Sequence, residues 1–576
     1  MTKFSRFGLA AVTAVLVLSL SACGKDKEEA AKAVEAGILQ FIPADTPYVF
    51  VTLESAPDEL ADKIEPHVDT MLDAYKIIIR DALNSASAEI EEGSEEMAVF
   101  EKAQPAIEEF MTILSVDGMK SIGIDRESRF AIYGNGLLPV MRISLTDPKL
   151  LDAAIARIEE KAGESMAVGE IDGNSYRYFE EEDVKLVVGT FGNYMVVTGM
   201  PSSFGDDQLA QLVGIKLPDR NIGDSGELAK IAKEFGYTNH MLGLVSSERI
   251  AATFLDAPTG LNAALLAGKF DPSTLSDVCR EEIREMAGLV PRLVTGYTSL
   301  SADRMDASMI MELRSDIASG LAKLPTAVPG LGVDQGGLFT FGMSLNVKEM
   351  RDFYAARLDA IEADPWECEF FADLQAGAVA GRAALNQPVP PMVYDIRGFV
   401  AVVNDITGMD IANQQPPENI DAGLVLAVEN APALLQLGAM FSPEIASLGL
   451  QPDGKAVEFA PQQLGGVVEN SFVALEDNAL ALSVGEGAER EVTDLLGASS
   501  ADPAPFMSMA IDAERYYGFI GDAMMLDEGD DELSPEGRAA MRDMLTAFGE
   551  LYDRLLMDVH FTSRGIEFDT TVTLGD

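Results

Sequence analysis

Histidine is almost missing from this chain: three residues in 576, beside three cysteines and one tryptophan. A Cys/His zinc domain needs four such ligands at short spacing, so that class is excluded. Basic residues are scarce too, with 42 Lys and Arg against 94 Asp and Glu and a net charge of −52. Phosphate binding needs clustered Lys and Arg, so nucleic acid is not expected as a partner. No Gly-x-x-x-x-Gly-Lys-Ser/Thr and no Gly-x-Gly-x-x-Gly occurs to cradle a phosphate, and there is no Gly-x-Ser-x-Gly nucleophile elbow. Apolar residues, in contrast, are plentiful: 47% of the chain is hydrophobic and 24% charged. That is a globular composition, not that of a disordered acidic chain. The length allows three or four average domains, or fewer large ones.

The N-terminus reads as an address. Lys3 and Arg6 precede an apolar run from Phe7 to Leu20, broken only by Thr13 and Ser19. Such a run is short for a membrane span and suits a signal-peptide core. Leu20-Ser21-Ala22-Cys23 follows, and it resembles the lipobox of bacterial lipoproteins. The resemblance implies cleavage after residue 22 and lipidation of Cys23, whose several acyl chains suffice for stable anchoring. Gly24, where the enterobacterial retention signal has Asp, favours the outer membrane. The mature chain carries a net charge of about −54 by this reading, so anionic membrane surfaces repel it and the acyl chains must hold it. Residues 23–40 then form a polar tether.

The rest of the chain reads as one unit written twice, with limits at 41–316 and 333–576 and a Gly/Pro-rich linker over 317–332. Strand-then-helix segments recur in order. Tyr48–Leu60 pairs with Leu338–Met350, and Val140–Leu151 with Leu424–Leu435. Gly192–Thr198 pairs with Asp477–Ser483, Met241–Arg249 with Met507–Arg515, and Thr298–Leu313 with Val559–Leu574. Short turns such as Asp172-Gly173 between alternating stretches predict antiparallel sheet, and helices packed on it make the fold class α+β. The layout is similar to an uncharacterised family of duplicated bacterial envelope proteins, which implies no activity.

Candidate chemistry is sparse. His67, His240 and His560 are far apart, and His240 falls where the second unit has Phe506, a position for a packed aromatic. The acidic runs 91–96, 180–183 and 527–532 lack the alternating ligand spacing of a calcium loop and read as solvated loops. Met305, Met309 and Met311 share one strand face, and Met507 and Met509 another. Thioethers in that pattern fill a core, line an adaptable apolar groove, or hold Cu(I). Cys279 and Cys368 are the only thiols left after lipidation. An oxidising periplasm makes a disulfide between the units the expectation, with two buried free thiols as the alternative.

The expected function is a non-catalytic binding or scaffolding module of the envelope, with no cofactor or metal. Its partners are the membrane through Cys23 and an envelope protein or apolar ligand. A carrier of lipid and a hydrolase using carboxylates are the alternatives. A Cys23→Ser variant is expected to remain uncleaved by the lipoprotein peptidase and to leave the membrane fraction altered. Normal maturation with unchanged partitioning contradicts the lipobox reading.

Overall fold

The computed structural model describes residues 37–88, 90, 93–163, 165–256, 259–408, 417–441, 443–459, 470–526 and 534–575. Cys23, the signal segment and most of the expected tether lie outside them, as do Glu91, Glu92 and the acidic run 527–532. The fold is α+β on an antiparallel sheet. The first unit contributes β1 (Tyr48–Thr52), β2 (Phe130–Asn135), β3 (Leu138–Ser144), β4 (Ala167–Ile171), β5 (Asn174–Glu181), β6 (Val184–Phe191), β7 (Tyr194–Pro201), β8 (Leu242–Ser246), β9 (Arg292–Leu300) and β10 (Arg304–Glu312). The second contributes β11 (Phe339–Ser344), β12 (Ile396–Thr407), β13 (Asn419–Val428), β14 (Val457–Glu458), β15 (Ser471–Leu475), β16 (Ala479–Val484), β17 (Met507–Asp512), β18 (Tyr552–Phe561) and β19 (Gly565–Leu574). The Asp172-Gly173 turn between β4 and β5 has both residues at positive φ, +48° and +76°, as a two-residue hairpin with right-handed strand twist requires.

Side by side, the first unit runs β4-β5-β6-β7-β3-β2-β1-β8-β9-β10. The second runs β14-β15-β16-β13-β12-β11-β17-β18-β19. These orders are the same shuffle of the chain. Among the described residues, only β4 has no counterpart.

Hydrogen bonds fix the equivalences. Ser246 N–H donates to the Pro47 carbonyl at 2.8 Å, and Asp512 N–H to that of Leu338 at 3.1 Å. Ser301 N–H donates to Arg304 and Thr562 N–H to Gly565, both at 2.9 Å. Ser246 thus matches Asp512 and the turn at 301–304 matches that at 562–565, as the sequence pairs imply. Leu338, however, matches Pro47 and not Tyr48, and following the ladders outward from there, Val140 matches Gly423 and not Leu424. A one-residue slip exchanges the two faces of a strand, and burial follows the structural alignment: Val49 and Val51 are buried, as are Thr340 and Gly342.

The units meet edge to edge. β10 pairs with β19 from Arg304↔Thr573 to Glu312↔Gly565. Ser308 lies opposite Asp569, its own counterpart in the repeat, so the ladder is centred on an approximate twofold axis, as an isologous dimer interface is. On one sheet face, the helices Asp206–Leu212 and Ala488–Gly497 cover the cores of the two units. The other face carries exchanged helices. α1 (Asp58–Ala88) of the first unit packs with α2 (Pro535–Leu551) of the second over Met305, Tyr297 and Val572. At the twofold-related position, the first unit's helix Asp277–Leu289 is joined to the segment after the second unit's helix Val347–Ala363 by a Cys279–Cys368 disulfide, Cα–Cα 4.8 Å. Glu282 accepts the backbone N–H groups of Glu367 at 2.7 Å and Cys368 at 3.0 Å and so seats that crossing.

Two boundaries shift. The expected linker 317–332 is folded: the helix Ser315–Leu321 crosses its start, and Val328 and Leu331 belong to the second unit's core. Ile38 and Leu39, expected in the tether, are buried in the first unit's core.

The helix Asp277–Leu289 has no buried side chain and Val347–Ala363 has only Leu358, so the disulfide does what burial does elsewhere. Closing a loop of 89 residues, it contributes about 4–5 kcal/mol in the chain-entropy account. Cys279→Ser with Cys368→Ser is expected to lower unfolding stability by roughly that amount. Faster amide exchange should be concentrated in residues 277–289 and 347–371. Unchanged exchange there contradicts this role.

Candidate functional site

The exchanged helices stand over one face of the sheet, and pleat alternation decides what that face presents. At the junction Ser308 pairs with Asp569, Asp569 with Asp558, and Asp558 with Ser508, a polar row on the side away from the exchanged helices. One residue along, the alternate row is Thr295, Met309, Phe568, Val559, Met507 and Met343. It continues through Phe399 in the second unit, and through Gly243, Phe50 and Ile132 in the first. Register-paired residues across ten strands thus form a row that has no charged side chain and is apolar except for Thr295, whose hydroxyl donates to the Ser308 carbonyl. Gly243 belongs in it because any Cβ there would meet the Phe50 ring at 2.7 Å.

Most of this row is half-buried: Ile132, Phe50, Met309, Phe568, Met507, Met343 and Phe399 are neither sealed nor open. None of them belongs to the buried clusters of the described residues. Chain direction sets the walls. β1 delivers α1 to one end of the strands, where β17 delivers α3 (Ala513–Leu526) and α2 precedes β18. β8, β11 and β9 place the helices Ser247–Leu255, Val347–Ala363 and Asp277–Leu289 at the opposite end. The first wall rests on a core of Leu60, Ile64, Val68, Ala547 and Leu551, and Tyr516 of α3 stacks on Phe339, centroids 6.2 Å apart. The row crosses the strands between these two sets of helices, and this half-buried strip of sheet is the trough.

The two methionine groups read from the sequence fall on this one face. Met309, Met311, Met507 and Met509 are half-buried on it, and Met305 is buried under α1 and α2. Met343, Met557, Phe568 and Phe50 were not singled out. Alternation within each strand marked them, but only pairing across the junction joins them.

Other expected groups do not converge on the trough. His67 is in α1, His240 precedes β8 and His560 is in β18. His560 lies 4.0 Å from Asp569 on the polar face. His240 matches Phe506, which stacks on Phe561 at 4.3 Å. Glu180, Glu181, Glu182 and Asp183 are exposed around the β5–β6 turn. Among the described residues, no group of three or more His, Cys, Asp or Glu is placed to hold a metal ion.

Two polar clefts lie elsewhere. One of about 790 Å³ is lined by Arg249 and Arg292, but Glu227 holds Arg249 at 2.8 Å and Glu312 with Glu234 holds Arg292. The other, about 330 Å³, contains Asn404 and Glu491. The Asn404 amide donates to Glu491 at 2.5 Å and to Asp421 at 3.3 Å. Burial holds the Asp421 carboxyl above the ordinary carboxylate range, helped by Asp405 and Glu486 and opposed by the Asn404 hydrogen bond.

No known protein family, curated protein or solved structure matches the chain.

Because the folded-state pKa of Asp421 is raised, its ionised form costs stability above that pKa, and the cost vanishes as the pH falls through it. Asp421→Asn is therefore expected to raise the melting temperature at neutral pH, with the gain fading towards about pH 3. A loss at neutral pH contradicts this assignment.

Proposed function

We propose that the chain is a non-catalytic binding module of the cell envelope, held by acyl chains on Cys23 at the periplasmic side of the outer membrane, with the trough as its working surface. The observation that carries this reading is the uncharged, half-buried row from Ile132 to Phe399, to which both units contribute. Catalysis places groups of perturbed pKa where a substrate can lie, whereas this floor offers thioethers and aromatic rings. The Leu20-Ser21-Ala22-Cys23 sequence supports the anchor. No helix among the described residues is long and apolar enough to cross a membrane. Scaffolding has support from exposed apolar side chains, Phe179 on β5, Val184 and Leu186 on β6, and Phe370 and Val379 about the helix Ala372–Leu385. The paired carboxylates Asp421 and Glu491 at one amide favour a second reading, a hydrolase acting through carboxylates.

Native purification from membranes, with mass spectrometry of what co-purifies, is expected to return a stoichiometric lipid or a defined protein partner. Turnover of an envelope substrate that is abolished by Asp421→Asn or Glu491→Gln contradicts the non-catalytic reading.

A further inference from the structure

We propose that the trough takes the acyl chains of an uncharged or zwitterionic lipid. The inference rests on the reading of the chain as a non-catalytic envelope binding module and gives that module its ligand class. Length is the first argument. Ten strands at about 4.8 Å spacing make a floor of roughly 43 Å. The acyl chains of one leaflet fill half of a hydrocarbon core of about 30 Å, so the floor holds chains laid end to end. A small compact ligand would leave most of it in water.

Access is the second argument. The row is half-buried, and α1 and α2 pack on the sheet beside it. A chain one methylene wide can follow such a strip past the helices, where a flat folded surface meets α1 and α2 first. Charge is the third. The row carries no charged side chain, and the molecule as a whole is at −52, so an anionic headgroup is repelled as it approaches. Met309, Met311, Met507 and Met509 supply unbranched, polarisable side chains that re-pack around chains of differing length and unsaturation.

The test uses the full chain and vesicles carrying acyl-labelled fluorescent phosphatidylcholine, with acyl-labelled phosphatidylglycerol as the anionic comparison. Uptake of the phosphatidylcholine probe is expected to saturate at a fixed stoichiometry and to exceed uptake of the anionic probe. Phe568→Glu puts a charge on the floor and is expected to weaken uptake by about tenfold or more. Ser308→Glu, on the opposite face beside it, should stay within about twofold. If Phe568→Glu fails to fold, Met309→Trp decides: it keeps the floor apolar but fills it, so uptake falls while circular dichroism is unchanged. Wild-type uptake in a folded floor variant, equal uptake of the anionic probe, or no uptake at all overturns the inference. No uptake with a stoichiometric protein partner sinks the lipid and spares the binding module. Saturable uptake followed by hydrolysis of the probe spares the trough and sinks the non-catalytic reading.

Discussion

The β10–β19 ladder is the constraint from which the rest of the architecture follows. Each unit ends in a hairpin whose last strand has a free edge, and an unpaired strand edge must be paired, covered or charged. Here each edge is paired by the other unit's copy of itself. That choice makes one sheet of two, fixes the approximate twofold axis between Ser308 and Asp569, and brings the apolar rows of both units into register. A one-residue slip in this ladder would place Met309 opposite Asp569 or Glu567.

The same axis accounts for the exchanged helices. Each unit's first helix leaves its strand at an end of the sheet where its own last helix is not, and it finds the other unit's last helix there. The two resulting walls are chemically different. The wall of α1 and α2 is a buried aliphatic core. The opposite wall buries little and is held by the Cys279–Cys368 bond, by Glu282 at the crossing, and by Asp316. Arg314 and Arg357 hold the Asp316 carboxyl far below the ordinary carboxylate range. Symmetry of topology has not preserved symmetry of packing.

Fold class and the repeat were legible in the sequence, because alternation and turn chemistry are local. Asp172-Gly173 shows its turn without any tertiary information. What the sequence left hidden was register. Leu338 resembles Tyr48 more than Pro47, and only the hydrogen bond from Asp512 decides the match. The cores have also diverged at matched sites. Arg142 opposes Val196 in β7, and Val425 opposes Ala481 in β16, yet both Arg142 and Val425 are fully buried. The Arg142 guanidinium lies 3.8 Å over the Phe41 ring and donates to the Val213 carbonyl at 2.9 Å, a cationic solution to a position filled by an aliphatic side chain in the other unit. The trough was hidden because its floor is assembled by a pairing between residues more than 250 positions apart. The methionine spacing within one strand marked the residue type but not the partner.

The central claim is that the two units form one continuous sheet closed at β10–β19. Native-state amide exchange resolved along both strands tests it most directly. The account predicts that amides within 305–311 and 566–572 exchange only with global unfolding, as slowly as those of β1 and β11, because every one of these strands has a neighbour on both sides. Fast exchange confined to β10 and β19, with β1 and β11 still protected, would show two units with open edges and would contradict the shared sheet.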